Sequence, residues 1–389
     1  MSLAKEQGPP PLPVNYILRS RTREFKIVGV LGAGGYGITY RALNQVAFTT
    51  RWGMLVPKNT ELAIKECFMT KGVMQRLPNG YARLLNVDKG IQIRSMFLKE
   101  ARALQDNQVR YQHSGERVDG AVPLLHVAYA GEGNPNVGNY AGDAIYYLVM
   151  PFISGGTLQS CAGQRGIGEI YGWLVKLLAT LSRLHRDNVL HRDIKPGNIM
   201  LQGNTPILID FGISTSMDGE NKAGGYTPDF AAPEQMRRMA SVTTPLSDLF
   251  ALGGTMYCLI AGEKPVSAIR RANGEPYKPL AERSELYKKM KGGMSPQHAR
   301  KFLASIDKAL MMEPSERWPS ADAWLRELLG IELLKTRTGG DGTKGASSSM
   351  FAQVLEWFRK STTTDVVLVI TITFLAVVIL ILAVSLLLS

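Results

Sequence analysis

Residues 191–198, His-Arg-Asp-Ile-Lys-Pro-Gly-Asn, are followed after two apolar runs by Asp210-Phe211-Gly212. Asp193 is suited to take a proton from an incoming hydroxyl, and Lys195 to neutralise a transferring phosphate. Asn198 and Asp210 offer the hard oxygen donors that Mg²⁺ takes. Ile199 to Leu201 and Ile207 to Ile209 read as two short strands around the turn Gln202-Gly203-Asn204-Thr205. A hairpin there returns the two metal ligands to one point. The set suits phosphoryl transfer to a hydroxyl.

The elements that must position these groups begin with a strand, Phe25 to Leu31, running into Gly32-Ala33-Gly34-Gly35-Tyr36-Gly37. A dinucleotide-binding turn of this composition opens a helix. Here Ile38-Thr39-Tyr40-Arg41-Ala42 follows, β-branched and aromatic, which predicts a second strand instead. Glycines suit such a turn because any Cβ obstructs the approach of backbone to phosphate. Glu61 to Lys65 reads as a third strand, and Glu66 then points to the face opposite Lys65.

The HRDxKxxN and DFG elements, the glycine-rich turn between strands and Ala63-Ile64-Lys65 together resemble the motifs of protein kinases. With Gly-Ile-Thr-Tyr and Ile-Lys-Glu, the chain is similar to the bacterial (Hanks-type) serine/threonine kinases over about residues 25–330. The resemblance implies an α+β, two-lobed fold, with a mostly β small lobe at 25–150 and a mostly α large lobe at 151–335. It implies ATP as phosphoryl donor, Mg²⁺ (Mn²⁺ as the alternative) on Asn198 and Asp210, and protein substrates. By it Asp193 is the catalytic base and Lys65 holds the α- and β-phosphates. The acidic partner of Lys65 is then Glu100, in Phe97-Leu98-Lys99-Glu100-Ala101, a segment with apolar residues at helical spacing. The stretch between, about 69–93, carries turn signals such as Leu77-Pro78-Asn79-Gly80 and reads as an inserted loop.

Residues 121–129 and 144–150 read as the last small-lobe strands. Leu148 to Ile153 matches a kinase hinge, with Met150 behind the adenine and the Pro151 carbonyl and Ile153 amide at its edge. Proline is tolerated at 151 because only its carbonyl is used. Thr39 and Ala63 join the nucleotide site by the same match, Thr39 standing where these kinases carry valine. Ile170, Leu174, Leu177, Leu178, Leu181 and Leu184 repeat at helical spacing, a buried helix leading to the catalytic loop. Thr227, in Tyr-Thr-Pro-Asp-Phe-Ala-Ala-Pro-Glu, resembles the substrate-platform threonine that bonds the catalytic Asp and Lys. Arg192, Glu234, Asp248 and Arg317 match scaffold positions, Glu234 pairing with Arg317 and Asp248 anchoring the catalytic loop. No hydroxyl residue lies between Met217 and Tyr226, so activation by phosphorylation there is not indicated, although Ser214 to Ser216 lie nearby. Lys195, two residues past Asp193, favours Ser/Thr over Tyr substrates.

The three cysteines, Cys67, Cys161 and Cys258, are far apart and suggest neither zinc nor disulfides. The net charge of +12 fits an anionic membrane surface, and nucleic-acid motifs are missing from the sequence. Residues 1–24, polar and Pro-rich at the start, read as a flexible tail, and 336–349 as a flexible linker. Residues 350–360 read as an amphipathic juxtamembrane helix. Val366 to Leu388 carries 23 residues without a charge. That is roughly 34 Å of helix, enough to cross a bilayer core of about 30 Å. Only Ser389 follows, and Arg359 and Lys360 precede it. The expectation is a tail-anchored chain in a bacterial inner membrane, with its kinase domain in the cytoplasm and a homodimer through the span as one arrangement. The alternatives are a catalytically inactive kinase-fold scaffold at the membrane and a phosphotransferase acting on a small molecule.

Overall fold

An antiparallel six-stranded sheet forms one lobe of the molecule. Its strands are β1 (Ile17–Ser20), β2 (Arg23–Gly34), β3 (Gly37–Asn44), β6 (Glu61–Cys67), β9 (His126–Ala130) and β10 (Ile145–Pro151), in the order β1-β2-β3-β6-β10-β9. The computed structural model describes residues 10–20, 23–34, 37–68, 73–78, 82–91, 97–98, 101, 120–130, 145–211, 227–236, 243–284, 286 and 295–330. Between β3 and β6 stands a small hairpin of β4 (Phe48–Thr49) and β5 (Leu55–Val56). Asn44 fastens it through Nδ2, which donates to the Pro57 carbonyl at 2.9 Å.

Register assigns the faces. Thr39 pairs with Lys65 and Lys65 with Leu148, while Ala63 pairs with Met150, so these side chains share the face toward the second lobe. Ile38, Tyr40, Ala42, Leu62, Ile64, Glu66, Tyr147 and Val149 occupy the other face and are all buried. Strand alternation alone leaves such a face open, so something must cover it.

Two pieces of chain supply contacts there, and both correct the sequence reading. Residues 1–24 were expected to be a flexible tail, yet β1 pairs with β2 from Ile17↔Lys26 to Ser20↔Arg23, and Leu12 is buried. The prolines around it fix an extended backbone that lies on the sheet without needing its own ladder bonds. The stretch 69–93, expected to be a loop, contains the hairpin β7 (Met74–Arg76) and β8 (Ala82–Leu84), and residues 87–91 are helical. Leu77 and Pro78 follow β7, and Asn79 and Gly80 lie outside the described residues.

The second lobe is mostly helical. Helix α1 (Ile167–Arg186) buries Ile170, Leu174, Leu177, Leu178, Leu181 and Leu184 at the expected spacing. Its last turn carries Arg183, His185 and Arg186, cations where the helix dipole favours them. Helix α2 (Pro245–Ala261) is buried along most of its length. It starts on a capping box between Thr244 and Ser247, with Pro245 in its first turn, and stops at Gly262, whose φ of 77° is left-handed. Helices α3 (Pro296–Ala309) and α4 (Ala321–Leu328) are capped by Ser295 and Ser320. Between α1 and α2 runs the hairpin β11 (Ile199–Gln202) and β12 (Thr205–Leu208), with Gly203 at φ 60° in its turn.

The linker 336–349, the juxtamembrane helix 350–360 and the span 366–388 lie outside the described residues. Among the described residues no helix is long and apolar enough to cross a membrane.

Candidate active site

The connection from α1 to β11 is anchored from below by a buried carboxylate. Asp248 on α2 accepts the backbone N–H of His191 at 2.9 Å and of Arg192 at 2.8 Å, and bonds His185 Nε2 at 2.9 Å. Burial alone raises a carboxyl pKa, but the hydrogen bond and charge of His185 hold Asp248 below the usual range. Arg192 adopts a left-handed φ of 69°, a bend that these bonds sustain. His191 Nε2 lies 2.9 Å from the Ile209 carbonyl, so that nitrogen carries the proton, and Nδ1 is left to accept from the Asp193 N–H. Burial lowers the His191 pKa, consistent with a neutral ring, which lies against Phe211 at 4.7 Å between centroids. One imidazole thus ties the 193 loop to the strand end that carries Asp210.

Above this floor the polar groups converge. Lys195 Nζ donates to Asp193 Oδ2 and to Thr227 Oγ1, both at 2.7 Å. Thr227 Oγ1 in turn donates to Asp193 Oδ1 at 2.9 Å, and its backbone N–H reaches the same oxygen at 3.1 Å. Asn198 Nδ2 donates to the Asp193 carbonyl at 2.8 Å and to Oδ2 at 2.9 Å. With the amide nitrogen so engaged, the oxygen of Asn198 is the atom left to face a cation. The β11–β12 hairpin returns the chain so that the Ile209 N–H bonds the Asn198 carbonyl at 2.9 Å, which sets Asp210 beside Asn198.

Asp210 takes a left-handed φ of 55° and reaches across to the other lobe, where Lys65 Nζ donates to its Oδ1 at 2.9 Å. Burial raises the Asp210 pKa and Lys65 outweighs it, so the carboxyl lies below its ordinary value. Thr39, Ala63 and Met150 share the Lys65 face of the sheet. Gly32 and Ala33 pair with Thr39 and Ile38 at the tip of β2 and β3, and Gly34 pairs with Gly37. A Cβ at Gly37 would lie 1.8 Å from the Glu66 carbonyl oxygen, so this end of the turn requires glycine. Pro151 closes β10 opposite Leu62, and Ile153 is buried beyond it. Gly35, Tyr36 and Glu100 lie outside the described residues.

The platform that carries Thr227 is fixed from beneath. Arg317 Nη1 and Nη2 donate to the two oxygens of Glu234 at 2.7 and 2.9 Å, and Ser247 Oγ donates to Oε1 at 2.8 Å. Two residues were missed by sequence reasoning. Gln235 accepts from the Ala232 N–H at 2.9 Å and donates to the Arg192 carbonyl at 3.0 Å, clamping the platform to the catalytic loop. His185 supports Asp248. Both signals lie in three dimensions: neither residue is marked by spacing.

Residues 137–328 match the protein kinase domain family. Among curated relatives, serine/threonine-protein kinase F of Synechocystis is 27% identical over 330 residues, covering 82% of this chain and 55% of its own length. PknK of Mycobacterium tuberculosis is 30% identical over 200 residues, 49% of this chain and 17% of its own. The chain thus spans about half of the first relative and a smaller part of the second. The PknI kinase domain of M. tuberculosis superposes with a TM-score of 0.50 at 16% identity, over 82% of this chain and all of that one, which speaks for the fold. A two-lobed fold, a polar cluster at the junction of the lobes and a family match over residues 137–328 agree: this part of the chain is similar to protein kinase domains.

Proposed function

We propose that the chain is an ATP-dependent protein-serine/threonine kinase held at a membrane. The observation that carries the activity is the closed set Asp193–Lys195–Thr227, in which both carboxylate oxygens and the ammonium are oriented before substrate arrives. A substrate hydroxyl entering beside Thr227 meets Asp193, which takes its proton as the oxygen attacks the γ-phosphorus of ATP and ADP leaves. Lys195 is placed to offset charge on the transferred group, and Lys65 to hold the α- and β-phosphates. Catalysis is then positioning and electrostatics rather than covalent chemistry.

The donor set fits a hard divalent cation in kind, since Asp210 offers carboxylate oxygens and Asn198 an amide oxygen. Mg²⁺ bound there would supply charge neutralisation to the phosphates. Gly32 and Gly34, at the tip of β2 beside Gly37, leave the backbone free of side chains where the phosphates would lie. The reading as membrane-held rests on sequence: 366–388 without a charge, preceded by Arg359 and Lys360.

The test uses the full chain in detergent with labelled ATP, Mg²⁺ and a generic basic protein, beside Asp193→Asn and Lys65→Met. Label on Ser or Thr with wild type alone is the expected result. Nucleotide binding without transfer in wild type moves the chain to the inactive-scaffold reading.

A further inference from the structure

Glu66 is a carboxylate with no exposure, set in the otherwise apolar outer face of the sheet. Arg76, from the β7–β8 hairpin, answers it with a fork: Nη1 donates to Oε1 at 3.0 Å and Nη2 to Oε2 at 2.6 Å. The pair is nearly dry, its side chains 6% and 0% exposed. Tyr40 OH donates to Oε2 at 2.8 Å and Tyr147 OH to Oε1 at 3.0 Å. Both phenols are pushed up in pKa, by burial first and then by the Glu66 charge, so they remain donors.

The N-terminal segment completes this knot. Arg76 Nε donates to the Pro10 carbonyl at 2.7 Å, and the guanidinium lies over the Phe68 ring at 4.5 Å. The Leu12 N–H donates to Tyr40 OH at 3.1 Å. Asn15 and Tyr16 then bond the Ile27 backbone at 2.8 and 2.9 Å and lead into β1. Residues 10–16 are thus a strap whose ties at Pro10 and Leu12 both end on groups that hold Glu66.

Apolar side chains would close this face with less desolvation than a buried ion pair. The position of the pair supplies a reason for it. Glu66 is the neighbour of Lys65 in β6, its carbonyl is the atom against which Gly37 packs, and Ile38 pairs with it across β3. Fixing Glu66 fixes the backbone where Lys65 and the end of the glycine turn meet.

We infer that Glu66, Arg76 and Tyr40 are positioning residues for Lys65 and the glycine turn, and that docking of the 10–16 strap on them sets nucleotide affinity. The ligand class follows from the kinase reading above, but binding is measured without turnover and so is tested apart from it. Tyr40 faces away from the cleft and cannot touch a nucleotide, which makes it a clean probe.

The experiment titrates the full chain in detergent with a fluorescent trinitrophenyl-ATP and Mg²⁺, then measures peptide phosphorylation. It compares wild type, Tyr40→Phe, Arg76→Lys and a chain lacking residues 1–12. Tyr40→Phe and the deletion are expected to weaken nucleotide binding and raise the KM for ATP by about tenfold with kcat within about twofold, as lost hydrogen bonds to a charged group warrant. Arg76→Lys keeps the charge, loses the fork and is expected to fall between. A synthetic peptide of residues 1–20 is expected to restore the deletion. Variants that melt like wild type and bind nucleotide within about twofold of it overturn the inference. So does a fall in kcat at unchanged KM. If the deletion does not fold, Tyr40→Phe decides alone, since it loses one oxygen and keeps its ring in the core. Wild type that binds nucleotide without transfer removes the proposed activity, and the order of affinities then still decides the positioning role.

Discussion

Arg317 donates to Glu234 twice and to the carbonyls of Met311 and Met312 at 2.8 and 2.9 Å, so nearly all of its donors are used in a buried place. Removing one partner of such a pair leaves the other charged and dry. Arg317→Ala is therefore expected to cost about 3–5 kcal/mol, read as a lower denaturant midpoint at unchanged slope. Arg317→Lys should cost less, because one ammonium replaces only part of the fork. Two histidines make a separate demand on pH. Burial, helped by the Arg23 charge, lowers His126 from 6.5 to about 4, and burial lowers His191 against the pull of Asp248. The unfolded chain takes up protons at these rings below about pH 6.5 while the folded chain does not, so stability is full above that pH and declines as pH falls. Asp210, Glu234 and Asp248, all held below their ordinary values, continue the loss further into acid. A melting series should be level from pH 7.5 to about pH 6.5 and fall from there to pH 4.5, and His126→Phe should flatten that fall; an unchanged slope would show that His126 titrates alike in both states.

At the scale of elements, the glycine turn shows how a backbone need becomes a sequence signal. Gly37 sits at φ 152° with the Glu66 carbonyl where a side chain would go. Gly37→Ala is expected to push β3 from β6 at the Lys65 end and weaken nucleotide binding by tenfold or more, about 1.4 kcal/mol, with the melting point changed by a few degrees. Gly32→Ala, which has open space around it, should be far milder in a melt. The same contrast explains what was legible beforehand. β2, β3 and β6 announce themselves by alternation and glycine, and α1 by its leucine repeat, because each has a wetter and a drier side. β10, buried at Ile145 to Val149, announces itself instead as an unbroken apolar run. The outer face of the sheet was not legible. Its coverings are a proline-rich strap and a short hairpin, and both carry turn residues that read as loop. Glu66 gave the opposite face correctly from strand period alone, but nothing local told that Arg76, ten residues on, would meet it there. In the site, Asp193, Lys195, Asn198, Asp210 and Thr227 were named from motif, and the structure brings them together; the clamps His185 and Gln235 depend on helix packing that spacing does not encode.

At the scale of the whole molecule, Lys65–Asp210 joins the lobes, and the remaining question is where the chain as a whole resides. A net charge of +12 draws it to anionic lipid by a force that salt screens over about 10 Å at 0.1 M. The span proposed at 366–388 would act differently: 23 uncharged residues in a helix match a bilayer core in length, and neither salt nor alkali would reverse burial there. The two contributions separate in one fractionation. The full chain, expressed in a bacterium, is expected in the membrane pellet and to stay there through 1 M salt and carbonate at pH 11. A chain ending at residue 349 is expected in the supernatant. If the shortened chain pellets at low salt and is released at high salt, the basic balance of the sequence, such as that of residues 70–117 with nine Lys/Arg against four Asp/Glu, is the tether in its place. If the full chain is itself released by carbonate, 366–388 is no span, and the apolar stretch must be buried against protein. Charge at its centre tells these last two apart: Leu375→Lys with Val378→Lys should abolish alkali-resistant pelleting of a span, at roughly 2.5–3.5 kcal/mol for each charge placed at mid-bilayer, while leaving nucleotide binding by the kinase domain unchanged.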